Sequence, residues 1–394
     1  MVLTPARRNV MVLAVCQAVA MTSISMMATV SALTGQMLAS DKALATLPIA
    51  LQQLTVMLTT FPASYIMRHF GRRAGFSLGA LVGMLGGSLQ CYAVFRYDFA
   101  LFCLGNALVG VANGFALFFR FAATETADLD FKSKAISLVM AGGVIAALAG
   151  PQLAKWAHDW FQPVQFAGAF VAIALLQALN CLLVQFVRIP RPSAAERRMQ
   201  GRPLGIIMRQ PVFIVAALGG MVGYGSMSLV MTATPLAMVG CGFAFGTAAT
   251  IIQWHVLGMF VPSFFTGHLI ARFGAPRIML AGTAGLMACA AINLAGIQLW
   301  NFWAALVLLG IGWNFLYIGA SSLLIEAYRS EERAKTQALN DFLVFSLVTT
   351  ASFASGGLNH HFGWSAVNLG VILPVLLAAG ALFWLLQHRR TAPA

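Results

Sequence analysis

The chain reads as an all-α membrane protein: twelve transmembrane helices in two six-helix bundles related by a pseudo-two-fold repeat. Three observations lead there. Of 394 residues, 60% are hydrophobic and only 9% charged, against about a quarter charged in soluble domains. Lys and Arg gather in alternate short loops. A basic turn in the first half returns about two hundred residues later.

A helix needs roughly 20 mostly apolar residues to cross about 30 Å of hydrocarbon. Lipid satisfies no backbone hydrogen bond, so such runs must be helical. Twelve stretches qualify: 9–33, 44–66, 75–95, 99–124, 135–157, 164–187, 211–234, 243–270, 276–296, 299–325, 338–357 and 364–387. Arg7 and Arg8 precede the first run as in a signal peptide. The run is longer than a leader's apolar region and has no clear A-x-A site, so a retained span is expected. The expected domains are a bundle over 1–187, a cytoplasmic linker over 188–210 carrying Pro190, Pro192 and Pro203, and a second bundle over 211–394.

Twenty Lys and Arg residues fall on one side of these spans, both termini included, and only Lys42, Arg96 and Lys155 on the other. The positive-inside rule then places both termini in the cytoplasm of a multi-pass protein of the cell (inner or plasma) membrane. The net charge of +13 therefore serves orientation and an anionic leaflet. The lipid bilayer is the expected partner, not nucleic acid. The six cysteines form no C-x-x-C pair and read as small reduced hydrophobes. H-E-x-x-H, Walker and G-x-S-x-G motifs are missing, so neither an enzyme nor a cofactor is expected. No metal site is expected either: His360 and His361 are adjacent and cannot face one ion from a helix.

The repeated turn carries the most information. Its first copy runs Ser64, Tyr65, Ile66, Met67, Arg68, His69, Phe70, Gly71, Arg72, Arg73; its second includes Gly267, Arg272, Phe273, Gly274 and Arg277. Phe70-Gly71 matches Phe273-Gly274 at an offset of 203, while Asn113 and Asn314, Glu125 and Glu326, and Lys134 and Lys335 match at 201. Parallel six-span repeats with a site near the midplane are a transporter architecture. The pattern resembles the major facilitator superfamily over nearly the whole chain. That family's loop after span two reads G-x-x-x-D-R-x-G-R-R. Here Gly71-Arg72-Arg73 keeps the end of it, while the leading Gly, the Asp and the first Arg are replaced.

In that family the loop closes the cytoplasmic side by charge contacts, and this chain has lost the acid from both copies. The resemblance then implies a lock borrowing other carboxylates: Glu125 toward Arg68 or Arg72, and Glu326 toward Arg272. Arg120 lies five residues before Glu125, about 7.5 Å deeper, and Asp341 six residues after Lys335, about 9 Å in from the same side. An Arg120–Asp341 bridge or a partner within each residue's own bundle are the two readings. Gly150-Pro151 in the fifth span resembles the kink of proton-driven exporters, and a Gly-Pro kink is also common in membrane helices.

Cavity candidates combine aromatic walls with a few polar groups: Gln17, Gln52, Asn113, Tyr224, Gln253, Trp254, His255, Trp313, Asn314 and Tyr317. Asn113 and Asn314 serve equally as helix–helix hydrogen-bonders, and His255 as a proton relay, a hydrogen-bond partner of a substrate, or a histidine bonded to a neighbouring helix. Gly79, Gly83 and Gly87, and Gly219 with Gly223, follow the G-x-x-x-G spacing of close helix packing. Span one holds no ionisable side chain, which argues against a cation-binding drug pump. The expectation is a secondary active transporter moving a small neutral or anionic organic solute by alternating access, with proton-coupled uptake. A proton-driven drug or metabolite exporter and an uncoupled facilitator are the alternatives. Protons and a small-molecule substrate are the expected partners of a monomer.

Overall fold

The computed structural model describes residues 5–119, 122–123, 129–189, 201–329 and 332–391, and the described residues contain no strand. The first six long helices are α1 (Pro5–Leu38), α2 (Leu47–Phe70), α3 (Arg72–Arg96), α4 (Phe99–Ala116), α5 (Leu129–Ala157) and α6 (Ala167–Leu183). After a short helix, Leu204–Met208, come α7 (Pro211–Gly240), α8 (Phe245–Phe260), α9 (Ser263–Phe273), α10 (Ala275–Ala295), α11 (Leu299–Ile325) and α12 (Arg333–Thr391). Ten of the described helical stretches are long and apolar enough to cross a membrane.

The differences from the expected spans have local causes. The eighth span is two helices, α8 and α9, broken at Val261–Pro262, where proline supplies no donor. The last two spans form one helical element interrupted only at Gly363, whose φ of +78° is open to glycine and costly for other residues. Two passes therefore lie within α12. The fourth helix stops at Ala116, short of the expected residue 124.

Both basic turns close the same way. Gly71 has φ 92° and ψ 162°, and Gly274 has φ 83° and ψ 147°. Each donates its N–H to the carbonyl four residues back, Met67 at 3.0 Å and Ile270 at 2.8 Å. A left-handed hinge between two long helices is why glycine survives in both copies while their charges vary.

The chain divides into two compact units, Met1–Arg197 with Ala244–Gln253, and Arg198–Phe243 with Trp254–Ala394. In the first, α1 packs on α5, α3 on α4, α2 on α4 and α3 on α6. In the second, α7 packs on α12, α10 on α11 and α10 on α12. Lipid offers no hydrophobic drive for such contacts, so close approach of small residues carries them. A Cβ on Gly79 would come 2.6 Å from Phe115, on Gly83 2.7 Å from Ala112, and on Gly87 2.8 Å from the Ala174 backbone. On Gly223 it would meet Leu316 at 2.9 Å. The first unit's apolar core gathers Val10, Leu13, Phe76, Phe115, Phe119, Val139 and Val184, with Phe76 and Phe119 4.5 Å apart between ring centroids.

Candidate functional site

Three of the expected cavity residues come together in the second unit. Tyr224 of α7 meets Trp313 and Tyr317 of α11 edge-on, at 5.5 and 5.4 Å between centroids. Trp313 and Tyr317 stack on each other at 5.0 Å. Phe345 of α12 closes the group at 5.6 Å from Tyr224, and Phe260 lies 6.2 Å from Trp313. The helical rise makes this wall, because positions 313 and 317 lie one turn apart on the same face. The Trp313 Nε1–H is buried without a hydrogen-bond partner among the described residues. The result is a set of π faces with one spare donor, the chemistry that receives a flat solute carrying acceptors. Phe345 was missed in the sequence, since one phenylalanine among 29 gives no sign of its neighbour.

His255 is fully buried on α8, and its Nδ1 donates to the Leu306 carbonyl at 2.9 Å. That bond leaves Nε2 as the acceptor, with no partner among the described residues. Glycine makes the approach possible: a Cβ on Gly310 would collide with the His255 carbonyl. The first unit has the same joint, where a Cβ on Gly110 would collide with the carbonyl of buried Gln52 and with Thr55 Oγ1. Gln52 and His255 are 203 residues apart, the offset of the two turns.

Asn314 is committed to packing. Its Nδ2 donates to the Met259 carbonyl at 2.6 Å and to Ser263 at 2.7 Å, and its Oδ1 accepts from Thr266 at 2.7 Å. Its packing counterpart in the first unit is Gly114, set against Thr59 and the Val56 carbonyl, so the expected match to Asn113 is off by one residue. One residue is about 100° around a helix. Asn113 consequently faces elsewhere, into a narrow recess with Asn180 and Gln177.

Trp254 stands apart from the aromatic wall. It is 43% exposed and forms a ladder with Trp303 at 5.7 Å and, beyond it, Trp300. Gln253 accepts from Gln152 Nε2 at 2.6 Å, and Lys155 Nζ donates to Thr250 at 2.6 Å. Gln17 is buried on α1. Gly150 lets the kinked stretch before Pro151 rest on α1, since a Cβ there would lie 2.5 Å from Ser25 Cβ.

The charged residues sort differently from expectation. Arg120 and Glu125 lie outside the described residues, as does the side chain of Arg68. Glu326 is paired with Arg389 at 2.6 Å, in place of the expected Arg272, whose guanidinium lies over the Phe273 ring at 5.2 Å. The last helix brings Arg389 back to the end of α11, a neighbour that only the fold reveals. Arg72 donates to Met67 Sδ at 3.1 Å and sits 5.6 Å from the Phe118 ring. Asp341 accepts from Asn340 at 3.3 Å.

A heavily bonded carboxylate in the second unit gave no sign of itself in the sequence. Glu332 is 1% exposed and takes Arg202 as a two-pronged partner, Nε to Oε1 at 2.7 Å and Nη2 to Oε2 at 2.6 Å. The Arg202 and Arg329 backbone N–H groups donate to the same carboxylate at 2.7 and 2.9 Å. Lys335 Nζ donates to the carbonyls of Gly201 and Arg202. The Arg202 guanidinium holds the Glu332 carboxyl well below the usual carboxylate range, and the contact raises Arg202 in turn. In the sequence Glu332 looks like any acid in a basic loop.

Helices of this length and apolarity are those of a multi-pass membrane protein, and the second unit carries a partly buried aromatic wall. The model of the Major Facilitator Superfamily matches residues 13–261 and 218–394. The riboflavin transporter RfnT of Brucella anthropi is 43% identical over 377 residues, covering 95% of this chain and 94% of that protein. The MFS-type transporter YdeG of Bacillus subtilis is 26% identical over 395 residues, covering 94% and 90%. The crystal structure of an auto-inhibited POT family peptide transporter superposes with a TM-score of 0.68 at 14% identity, covering 98% of both chains. The chain belongs to the Major Facilitator Superfamily. It is a transporter of a small solute rather than an enzyme.

Proposed function

We propose that this protein takes up a flat, uncharged heteroaromatic solute of the flavin type, by alternating access and with proton coupling. One observation carries the solute class: the wall of Tyr224, Trp313, Tyr317 and Phe345, with the Trp313 Nε1–H spare. A tricyclic ring presents π faces to such a wall and carbonyl acceptors to an indole donor. The 43% identity to a protein named for riboflavin transport supports the same chemistry. Along α1 the buried polar groups are neutral, Gln17, Thr22, Ser23 and Ser25, which suits a solute without positive charge. Proton coupling is supported by His255, a buried imidazole with an open acceptor nitrogen. The excess of basic residues on one side of the spans supports cytoplasmic termini in the inner or plasma membrane.

The test is counterflow of radiolabelled riboflavin in proteoliposomes, followed by uptake driven by an imposed pH gradient. Exchange that accelerates in the gradient is the expected result. No exchange removes the flavin reading, and exchange indifferent to the gradient leaves an uncoupled facilitator.

A further inference from the structure

The first unit contains a polar recess that the aromatic wall does not explain. Its polar lining is Asn113 on α4 with Gln177 and Asn180 on α6, and its apolar lining includes Phe76, Phe115 and Phe119. Asn113 is 5% exposed and Asn180 3%, and the Oδ1 atoms of both have no hydrogen-bond partner among the described residues. Gln177 is also 3% exposed; its Nε2 reaches Ser23 Oγ only at 3.4 Å.

Buried acceptors of this kind are nearly always satisfied in native proteins, and a membrane interior offers them no bulk water. The recess is also built rather than accidental. Gly83 lies under the Gln177 carboxamide, where a Cβ would come 2.9 Å from Cδ, so glycine at this position makes room for the polar group. Asn113 and Asn180 both line the recess, and their open carboxamide oxygens can only accept, which selects a donor. Among the described residues the lining carries no charge, which selects a neutral donor. The narrowness of the space limits it to something on the scale of one hydroxyl group or one water.

We infer that the Asn113–Asn180 recess is a binding site for a neutral O–H donor that bridges α4 to α6. The donor has two sources of the same chemistry, a trapped water or a hydroxyl group of the transported solute. The second source rests on the flavin reading above, since riboflavin carries a polyhydroxylated chain and lumiflavin a methyl group in its place.

Two measurements on the full-length protein in nanodiscs separate these outcomes. X-ray hydroxyl-radical labelling read by mass spectrometry reports ordered water beside buried phenylalanines. Affinities for riboflavin and lumiflavin come from fluorescence quenching. Labelling of Phe115 and Phe119 in the wild type, lost in Asn180→Leu while both flavins shift alike, establishes the site with water in it. An approximately fivefold loss of riboflavin affinity in Asn180→Leu with lumiflavin unchanged, the worth of one neutral hydrogen bond, establishes it with a solute hydroxyl. Should neither flavin bind at all, the flavin reading fails and the wild-type labelling alone decides this inference. Unlabelled phenylalanines in the wild type, together with flavin affinities unmoved by Asn180→Leu, overturn it.

Discussion

Trp313 and Tyr317 stack within 16° of parallel, 5.0 Å between ring centroids, on one face of α11. Tyr224 meets both rings edge-on from α7. An aromatic pair contributes about 0.5–1.5 kcal/mol beyond its buried area, which converts to roughly 2- to 13-fold in affinity. Trp313→Leu should therefore weaken riboflavin binding by several-fold to about tenfold, while Trp313→Phe recovers part of the loss. Equilibrium quenching titrations measure this, and an unchanged Kd in Trp313→Leu would take the wall out of the substrate site.

His255 divides coupling from binding. Replacing it with Gln keeps a side chain of similar length and removes the titratable nitrogen. Accumulation driven by a pH gradient should disappear in His255→Gln, while riboflavin counterflow without a gradient persists. Gradient-driven accumulation at the wild-type level would remove His255 as the proton carrier.

The Glu332–Arg202 pair predicts a pH-dependent stability with a definite sign. A carboxyl held below its ordinary value stabilises the fold above the unfolded pKa of about 4.3, and the stabilisation is lost as pH falls below that. Glu332→Gln should melt several degrees lower than the wild type at neutral pH, and the gap should begin to narrow below about pH 4 and keep narrowing toward the depressed folded-state value. A gap independent of pH would show that the ion pair is not its source. Arg389→Ala, which breaks the exposed Glu326 pair, should change little, because such pairs contribute about 0–1 kcal/mol.

The glycine joints make a steric prediction. Gly310→Ala places a methyl group against the His255 carbonyl and 2.8 Å from the Met259 nitrogen, both backbone atoms that cannot step aside. Overpacking of this kind costs about 1–3 kcal/mol. Gly267→Ala on α9 is the control, since a Cβ there meets nothing within 4 Å and alanine favours a helix by roughly 0.5–1 kcal/mol. Thermal unfolding in detergent should rank Gly267→Ala at or above wild type and Gly310→Ala well below it.

The fold was legible in the sequence because the solvent dictates it. Lipid demands about twenty apolar residues per pass, and those runs appear whichever helix packs where. The site was legible only in part. Tyr224, Trp313 and Tyr317 are expected cavity aromatics that the fold brings together; Trp254 is expected on the same grounds and stands in an exposed ladder. The difference is rotation about the helix axis, which a nearly uniformly apolar helix does not reveal. α11 shows the difficulty, because apolar residues surround it on every side and no stripe marks its inner face.

The sequence alone determined that this is an all-helical, multi-pass membrane protein, and that a basic turn with Phe-Gly at its centre occurs in each half. Each of these depends on composition or on neighbours a few residues away. Tertiary structure decided which carboxylates have partners and which asparagines remain open. Glu332 meets Arg202 from 130 residues away, Glu326 meets Arg389 from 63, and Asn314 binds a neighbouring helix while Asn113 faces a recess. Side-chain partners inside a bundle depend on how far each helix is rotated, and a one-residue slip in alignment turns a side chain by about 100°.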